Sequence, residues 1–382
     1  MVPSEDAAPR LDVDQILADP GVRIVVCCGA GGVGKTTTAA ALALRAAEQH
    51  GRRTVVLTID PARRLAQSLG LTELDNTPRR VKGIDVEASG GELHAMMLDM
   101  KRTFDDVVLQ HTDPAKAAEI FANPFYQAMS STFAGTQEYM AMEKLGQLHA
   151  RGEWDLIVVD TPPSRSALDF LDAPARLSRF LDGRMLRLLL APARTGGRSM
   201  FSFVTASFGM FSKVVQKVLG AQLLTDLSGF VAALDSMFGG FRQRAEQTYR
   251  ILQARETAFL LVAAPESDAV REAAYFAGRL HEERMPLAGL VLNRVHRPVV
   301  RLDAAESLAA ADRLVELGGH AATVDVLRAH AALARQAVRE QQVAARFTEA
   351  FPTVPAVSVT AQPADVHDVD GLRTIGAAIS RP

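Results

Sequence analysis

The apolar positions of this chain follow two rhythms. Short apolar runs recur at 23–28, 54–59, 93–98, 154–160, 258–263, 287–293 and 354–359, several of them unbroken stretches of valine, isoleucine and leucine. Runs of this length without alternation read as strands covered on both faces, as parallel sheets require. Between several of them, apolar residues return at helical spacing, first over 36–49. The alternation predicts an α/β fold: a doubly wound, mostly parallel sheet with ligands beyond the C-terminal ends of its strands. It breaks twice. Residues of about 101–151 and 164–256 read as helices with no credible strand, so they are expected to form a helical insertion subdomain. A third helical stretch, rich in alanine and scattered charge, covers 303–348. Residues 1–20 read as a flexible N-terminal arm with a short helix near 11–18, ahead of one large domain over 21–382.

Chemistry concentrates after the first predicted strand. Gly29-Ala30-Gly31-Gly32-Val33-Gly34-Lys35-Thr36 fits G-x-x-x-x-G-K-[ST], a phosphate-binding loop. It sits where that loop must sit, between a buried strand and a helix. Glycines let successive backbone N–H groups turn toward one phosphate, and the helix N-terminus favours an anion. Gly29, Gly31, Gly32, Val33, Gly34, Lys35, Thr36 and Thr37 are therefore the expected triphosphate contacts. Lys35 would reach the β- and γ-phosphates, and Thr36 would place its hydroxyl on Mg²⁺. Two further strands end in acids, at Asp60-Pro61-Ala62 and Asp160-Thr161-Pro162-Pro163. An acid at a strand tip beside a phosphate loop is the expected Mg²⁺-side partner. Asp160 is assigned to the metal shell, and Asp60 to positioning or deprotonating the attacking water. The bland alternative is that such an aspartate only caps the next helix.

With these pieces the chain resembles the arsenical-pump and tail-anchored-protein-targeting ATPases, within the deviant phosphate-loop group, and among them the actinobacterial members that occur as paired paralogues. The resemblance implies ATP and Mg²⁺ as ligands and a dimer, either of two copies or with a paralogous ATPase. It also implies that Asn293, in Leu290-Val291-Leu292-Asn293-Arg294, lies on the base, with Asp365 to Leu372 as a C-terminal loop and helix near the adenine. The departures are informative. The family's loop carries a lysine that reaches the partner's nucleotide; here that position is Ala30. A cation supplied in trans is worth roughly 10³–10⁵ in rate. Arg63, Arg64 and Arg165 stand in segments where the family has none, and either replace that lysine or form ordinary surface pairs. The pumps' metalloid-binding cysteines and the eukaryotic factors' zinc cysteines have no counterpart.

Composition narrows the rest. The formal net charge is −2, which gives no argument for nucleic acid. The two cysteines, Cys27 and Cys28, are adjacent on one predicted strand. They point to opposite faces and suit a reducing, cytoplasmic setting rather than a disulfide. The N-terminus lacks the regions of a signal peptide, and no apolar run is long enough to span a bilayer. Residues 183–225 contain no acid but six basic residues, around an uncharged segment with Met200, Phe201, Phe203, Phe208, Met210 and Phe211. Such a segment suits a hydrophobic client, either a membrane-protein helix or a lipid-like molecule, or peripheral contact with an anionic membrane. The alternative is that this stripe, like Leu223, Leu227, Phe230, Leu234, Met237 and Phe241, is core. Three functions compete: an ATPase that handles a hydrophobic client, a weakly active regulatory subunit paired with a lysine-bearing paralogue, and a partition-type ATPase. The large helical insertions and the missing basic stretch count against the last.

Overall fold

The computed structural model describes residues 9–59, 64–87, 89–124, 126–127, 130, 136–162, 243–318 and 320–380. The chain splits into two compact units. The first comprises the described residues within 1–97, 148–168 and 251–382 and holds the sheet. The second comprises those within 98–147 and 169–250 and is helical.

In the first unit, α1 (Val13–Ala18) precedes β1 (Ile24–Cys28), α2 (Lys35–His50), β2 (Arg53–Thr58), α3 (Arg64–Ser68), β3 (Arg79–Arg80) and β4 (Glu92–Met97). The second unit contributes α4 (Met100–His111), α5 (Pro114–Ala122), most of α6 (Thr136–Arg151) and most of a helix over 243–253, here α7. The first unit also contains β5 (Leu156–Asp160), β6 (Thr257–Ala263), α8 (Ser267–Glu282), β7 (Leu287–Val295), α9 (Ala304–Glu316), α10 (Ala321–Ala350), β8 (Ala356–Thr360) and α11 (Val369–Ser380). The sheet order is β3-β4-β2-β5-β1-β6-β7-β8. Every neighbouring pair is parallel except β3–β4. All seven predicted strands are present within a few residues of their expected bounds. The pair Arg79–Arg80 has no apolar signal and becomes a strand only because it lies antiparallel to β4.

The central strands β1, β5 and β6 are buried at every position, which is why their runs do not alternate. Helix α2 is buried nearly all round, and its packed side is mostly alanine. Small side chains let it lie between the sheet and α1 and α11 at short range. The sequence order turns at β1: β2 lies to one side across β5, and β6, β7 and β8 follow on the other. A reversal of this kind opens a crevice at the C-terminal strand ends.

From Pro9 onward, the segment expected as a loose arm is docked. Ala356 N–H donates to Pro9 O, Leu11 N–H donates to Ala356 O, and Arg10 forms a parallel bridge to Ala356. Leu11, Val13 and Leu17 are buried in the core. The reason is Arg52, itself 7% exposed. Its guanidinium donates to the carbonyls of Leu17, Asp19, Val22 and Asp155, which ties the arm to the N-terminal ends of three strands. Asp14 adds a fork to Arg45 at 2.7 Å and a contact to His50 at 2.9 Å.

In the second unit, Asp99 and Asp113 cap α4 and α5 through their side chains, as aspartate does at helix starts. Tyr126 is fully buried and donates to Asp105 at 2.7 Å. Glu143 is buried and accepts from Arg244 Nε at 2.9 and 3.1 Å. The arginine also reaches His111 Nε2 at 2.8 Å. The apolar stripes over 199–241 and Arg165 lie outside the described residues.

Candidate functional site

The loop after β1 is built by backbone constraints. Gly29 has φ +148°, and a β-carbon there would meet Val262 O at 2.0 Å. Gly34 has φ +97°, and a β-carbon there would meet Asn293 Nδ2 at 2.3 Å. Both positions demand glycine through conformation and space together. Gly34 is also the N-cap of α2 and makes no side-chain cap, so the first N–H groups of the helix remain oriented for an anion. Lys35 is buried, and its ammonium donates to Ala30 O at 2.7 Å, folding the side chain back across the loop.

Strand register then brings in the acid. Asp160 ends β5, paired with Cys27 of β1 on one side and Thr58 of β2 on the other. One oxygen, Oδ2, accepts from Thr36 Oγ1 at 2.8 Å and from Thr58 Oγ1 at 2.9 Å. The sequence motif named Thr36 and Asp160 but not Thr58, whose hydroxyl matters only through the β2–β5 register. A threonine hydroxyl beside a carboxylate is a hard-oxygen set of the kind that holds Mg²⁺, which takes one or two protein oxygens and leaves the rest to phosphate and water. Among the described residues, no cluster of three or more His, Cys, Asp or Glu could hold another metal. Asp60 and the three residues after it, Arg63 among them, lie outside the described residues.

Cys27 and Cys28 lie directly beneath this site without serving as nucleophiles. Burial first, and the Asp160 carboxylate second, push the Cys27 thiol well above its usual range. Burial pushes Cys28 up to about 12. Thr161 ties the strand end down by donating from Oγ1 to Cys27 O at 2.8 Å.

A cavity of about 790 Å³ opens from the loop, within the usual range for a ligand site. Gly32, Gly34, Lys35, Thr36 and Thr37 line one end, with Gln67, Ser68 and Thr161 nearby. The other end is lined from β7, β8 and the loop before α11, including Arg294, His296, Gln362, Asp365 and His367. Asn293 stands between the ends. Its Nδ2 donates to Val33 O at 2.9 Å, so the side chain expected beside the base also braces the phosphate loop. It can do so because β7 is irregular there: Arg294 has φ +62°, and the β7–β8 register shifts between Leu292 and Val295. A bulge of this kind re-aims side chains beside a site. The exposed Gly31 lies on the same loop. Ala30 is 7% exposed and packs within the core cluster.

A family model for anion-transporting ATPases matches residues 22–303. Among individual proteins, the chain is 27% identical over 311 residues to ATPase GET3B of Arabidopsis thaliana, covering 75% of this chain and 67% of that one. It is 28% identical over 177 residues to ATPase GET3 of Malassezia globosa, covering 46% and 50%. It is 32% identical over 171 residues to protein Rv2184c of Mycobacterium tuberculosis, covering 42% and 39%. The last two similarities thus span half or less of the relatives' own lengths. No helix among the described residues is long and apolar enough to cross a membrane.

Proposed function

Because this chain belongs to the anion-transporting ATPase family, we propose that it binds Mg·ATP in the cavity of its first unit and hydrolyses it to ADP and phosphate. The observation that carries the reading is the 2.8 Å hydrogen bond from Thr36 to Asp160 at the start of a glycine-cradled helix. In this reading the loop amides and Lys35 bind the phosphates, and Lys35 exchanges Ala30 O for phosphate oxygen. Thr36 and Asp160 would hold Mg²⁺, which when bound offsets charge on the phosphate oxygens. Asp60 takes a proton from water as its oxygen bonds to the γ-phosphorus and the bond to the β–γ bridging oxygen breaks. Asn293 supports the base side. Calorimetry with Mg·ATP tests the reading: wild-type chain binds, Lys35→Ala does not, and Asp60→Asn binds without turnover. Binding by Lys35→Ala equal to wild type would overturn it.

The finer reading is a cytoplasmic dimeric ATPase, homodimer or heterodimer, whose nucleotide state controls a hydrophobic client held by the helical unit. Replacing Phe208 and Phe211 with serine should then reduce client binding while the chain stays folded. One observation favours a second reading, a weakly active regulatory subunit of a heterodimer. Position 30 carries a short, buried alanine, so this chain has no lysine there to give a partner, yet it can still receive one. Turnover measured alone and mixed with a lysine-bearing paralogue separates the two. Full activity alone removes the second reading, and activity only in the mixture supports it.

A further inference from the structure

The nucleoside end of the cavity contains a pair of side chains that the phosphate loop does not explain. His296, just past β7, lines the cavity. Glu340, in the middle of α10, does not line it but holds His296 twice. One carboxylate oxygen accepts from the His296 backbone N–H at 2.7 Å. The other lies 2.7 Å from His296 Nδ1. Gln336, one turn earlier on α10, donates to that second oxygen at 2.9 Å and lies 3.0 Å from the same ring nitrogen. Glu340 is buried, so these bonds replace its hydration.

Chemistry then fixes the ring. A carboxylate can only accept, so the 2.7 Å contact assigns the imidazole proton to Nδ1. An unprotonated Nδ1 would set lone pair against lone pair. In neutral imidazole Nε2 is then the acceptor, and no hydrogen bond from a described residue reaches it. The position of His296 says what part of a ligand it meets. Neighbouring strands lie about 4.8 Å apart, and β7 is two strands from β1, so His296 stands roughly 10 Å to the side of the phosphate loop. That is the sugar and base end of a nucleotide whose phosphates occupy the loop.

We infer that Glu340 is a positioning residue that locks the His296 ring so that Nε2 accepts a hydrogen bond from the nucleoside part of the bound nucleotide. The inference rests on the Mg·ATP reading of the cavity. It also makes α10 sensitive to occupancy, since the carboxylate that orients the ligand contact belongs to that helix.

The test is calorimetry on the full chain with Mg·ATP and Mg·ADP, using Glu340→Gln, His296→Ala and the double variant. Glutamine has the size of glutamate but only one acceptor oxygen, so it cannot serve both His296 donors. Each single variant should weaken ATP and ADP alike by about tenfold, the scale of one net hydrogen bond. The double variant should bind no more weakly than His296→Ala. Nitrogen-15 NMR should show the Nδ1–H tautomer of His296 in wild type and its loss in Glu340→Gln, which a merely structural role would not predict. Wild-type affinity in both single variants, or additive losses in the double, would overturn the inference. Failure of the wild-type chain to bind either nucleotide would instead overturn the reading of the cavity. The tautomer pattern would then still confirm or refute the Glu340–His296 lock.

Discussion

The two ends of the sheet use charged side chains in opposite ways. At the C-terminal end, Lys35 donates to a carbonyl of its own loop, and Asp160 accepts from the Thr36 hydroxyl, a candidate metal ligand, and from Thr58. Phosphate oxygen can take the place of the carbonyl at Lys35, and a cation can take the place of the hydroxyl hydrogens at Asp160. At the N-terminal end, Arg52 is committed to four backbone carbonyls, three within 17–22 and one at Asp155, and Asp14 to Arg45 and His50. No ligand could substitute there. Charge held by exchangeable partners serves binding, while charge held by a closed set of backbone acceptors serves the fold.

Four substitutions probe that contrast. Arg52→Ala has the largest expected effect, because it removes four bonds from a buried cation and leaves carbonyls without donors. We expect a loss of about 4 kcal/mol of unfolding free energy in urea, with nucleotide affinity unchanged at temperatures where the chain is folded. A loss of affinity without a loss of stability would reverse the assignment. Lys35→Ala should do the opposite, lowering Mg·ATP affinity by at least roughly 100-fold, about 3 kcal/mol, through lost charge-assisted bonds to phosphate. Its urea midpoint should barely move. Asp160→Ala is intermediate. Two hydroxyls lose their acceptor, for about 2 kcal/mol of stability, and the Mg²⁺ dependence of ATP binding should flatten. Binding that stays fully Mg²⁺-dependent would remove Asp160 from the metal shell.

The smallest effect is at Asp14. The hydrogen bond from Arg45, with His50 and charge attraction adding to it, holds its carboxyl down at about 2, below the ordinary carboxylate range. A depressed folded value means that the stabilisation is present above the unfolded value and is lost as pH falls from about 4 through 2. Asp14→Asn should therefore melt lower than wild type at pH 6, by the few tenths to about 1 kcal/mol typical of half-exposed pairs. The gap should narrow steadily from pH 4 to pH 2 as the carboxyl takes up its proton. A gap of unchanged size at pH 2 would mean that packing, not charge, holds α1 in place.

The fold was legible because its strands are apolar runs and its helices keep a 3.6 period, so each could be read inside a short window. The phosphate loop was legible for the same reason: its glycines, lysine and threonine are contiguous. What escaped the sequence depends on distance along the chain. Thr58 meets Asp160 only through strand register, and Glu340 meets His296 across 44 residues. Neither separation has a characteristic spacing. Arg52 reads as an ordinary charged residue before a strand, and without it Leu11, Val13 and Leu17 look too few to hold an arm. Arg79–Arg80 carries no apolar pattern at all, and pairing alone makes it a strand.

The docking of Pro9 to Leu11 along β8 reaches beyond local stability. β8 is the last strand of the sheet, and an uncovered edge presents a row of backbone donors and acceptors to any passing chain. Leu11 also fills the notch above Gly289, where a β-carbon would meet its side chain at 2.7 Å. A version trimmed to start at the first strand would keep every nucleotide contact described above. It would lose stability with the acceptors of Arg52, and it would also bare a sticky margin prone to self-association in concentrated solution.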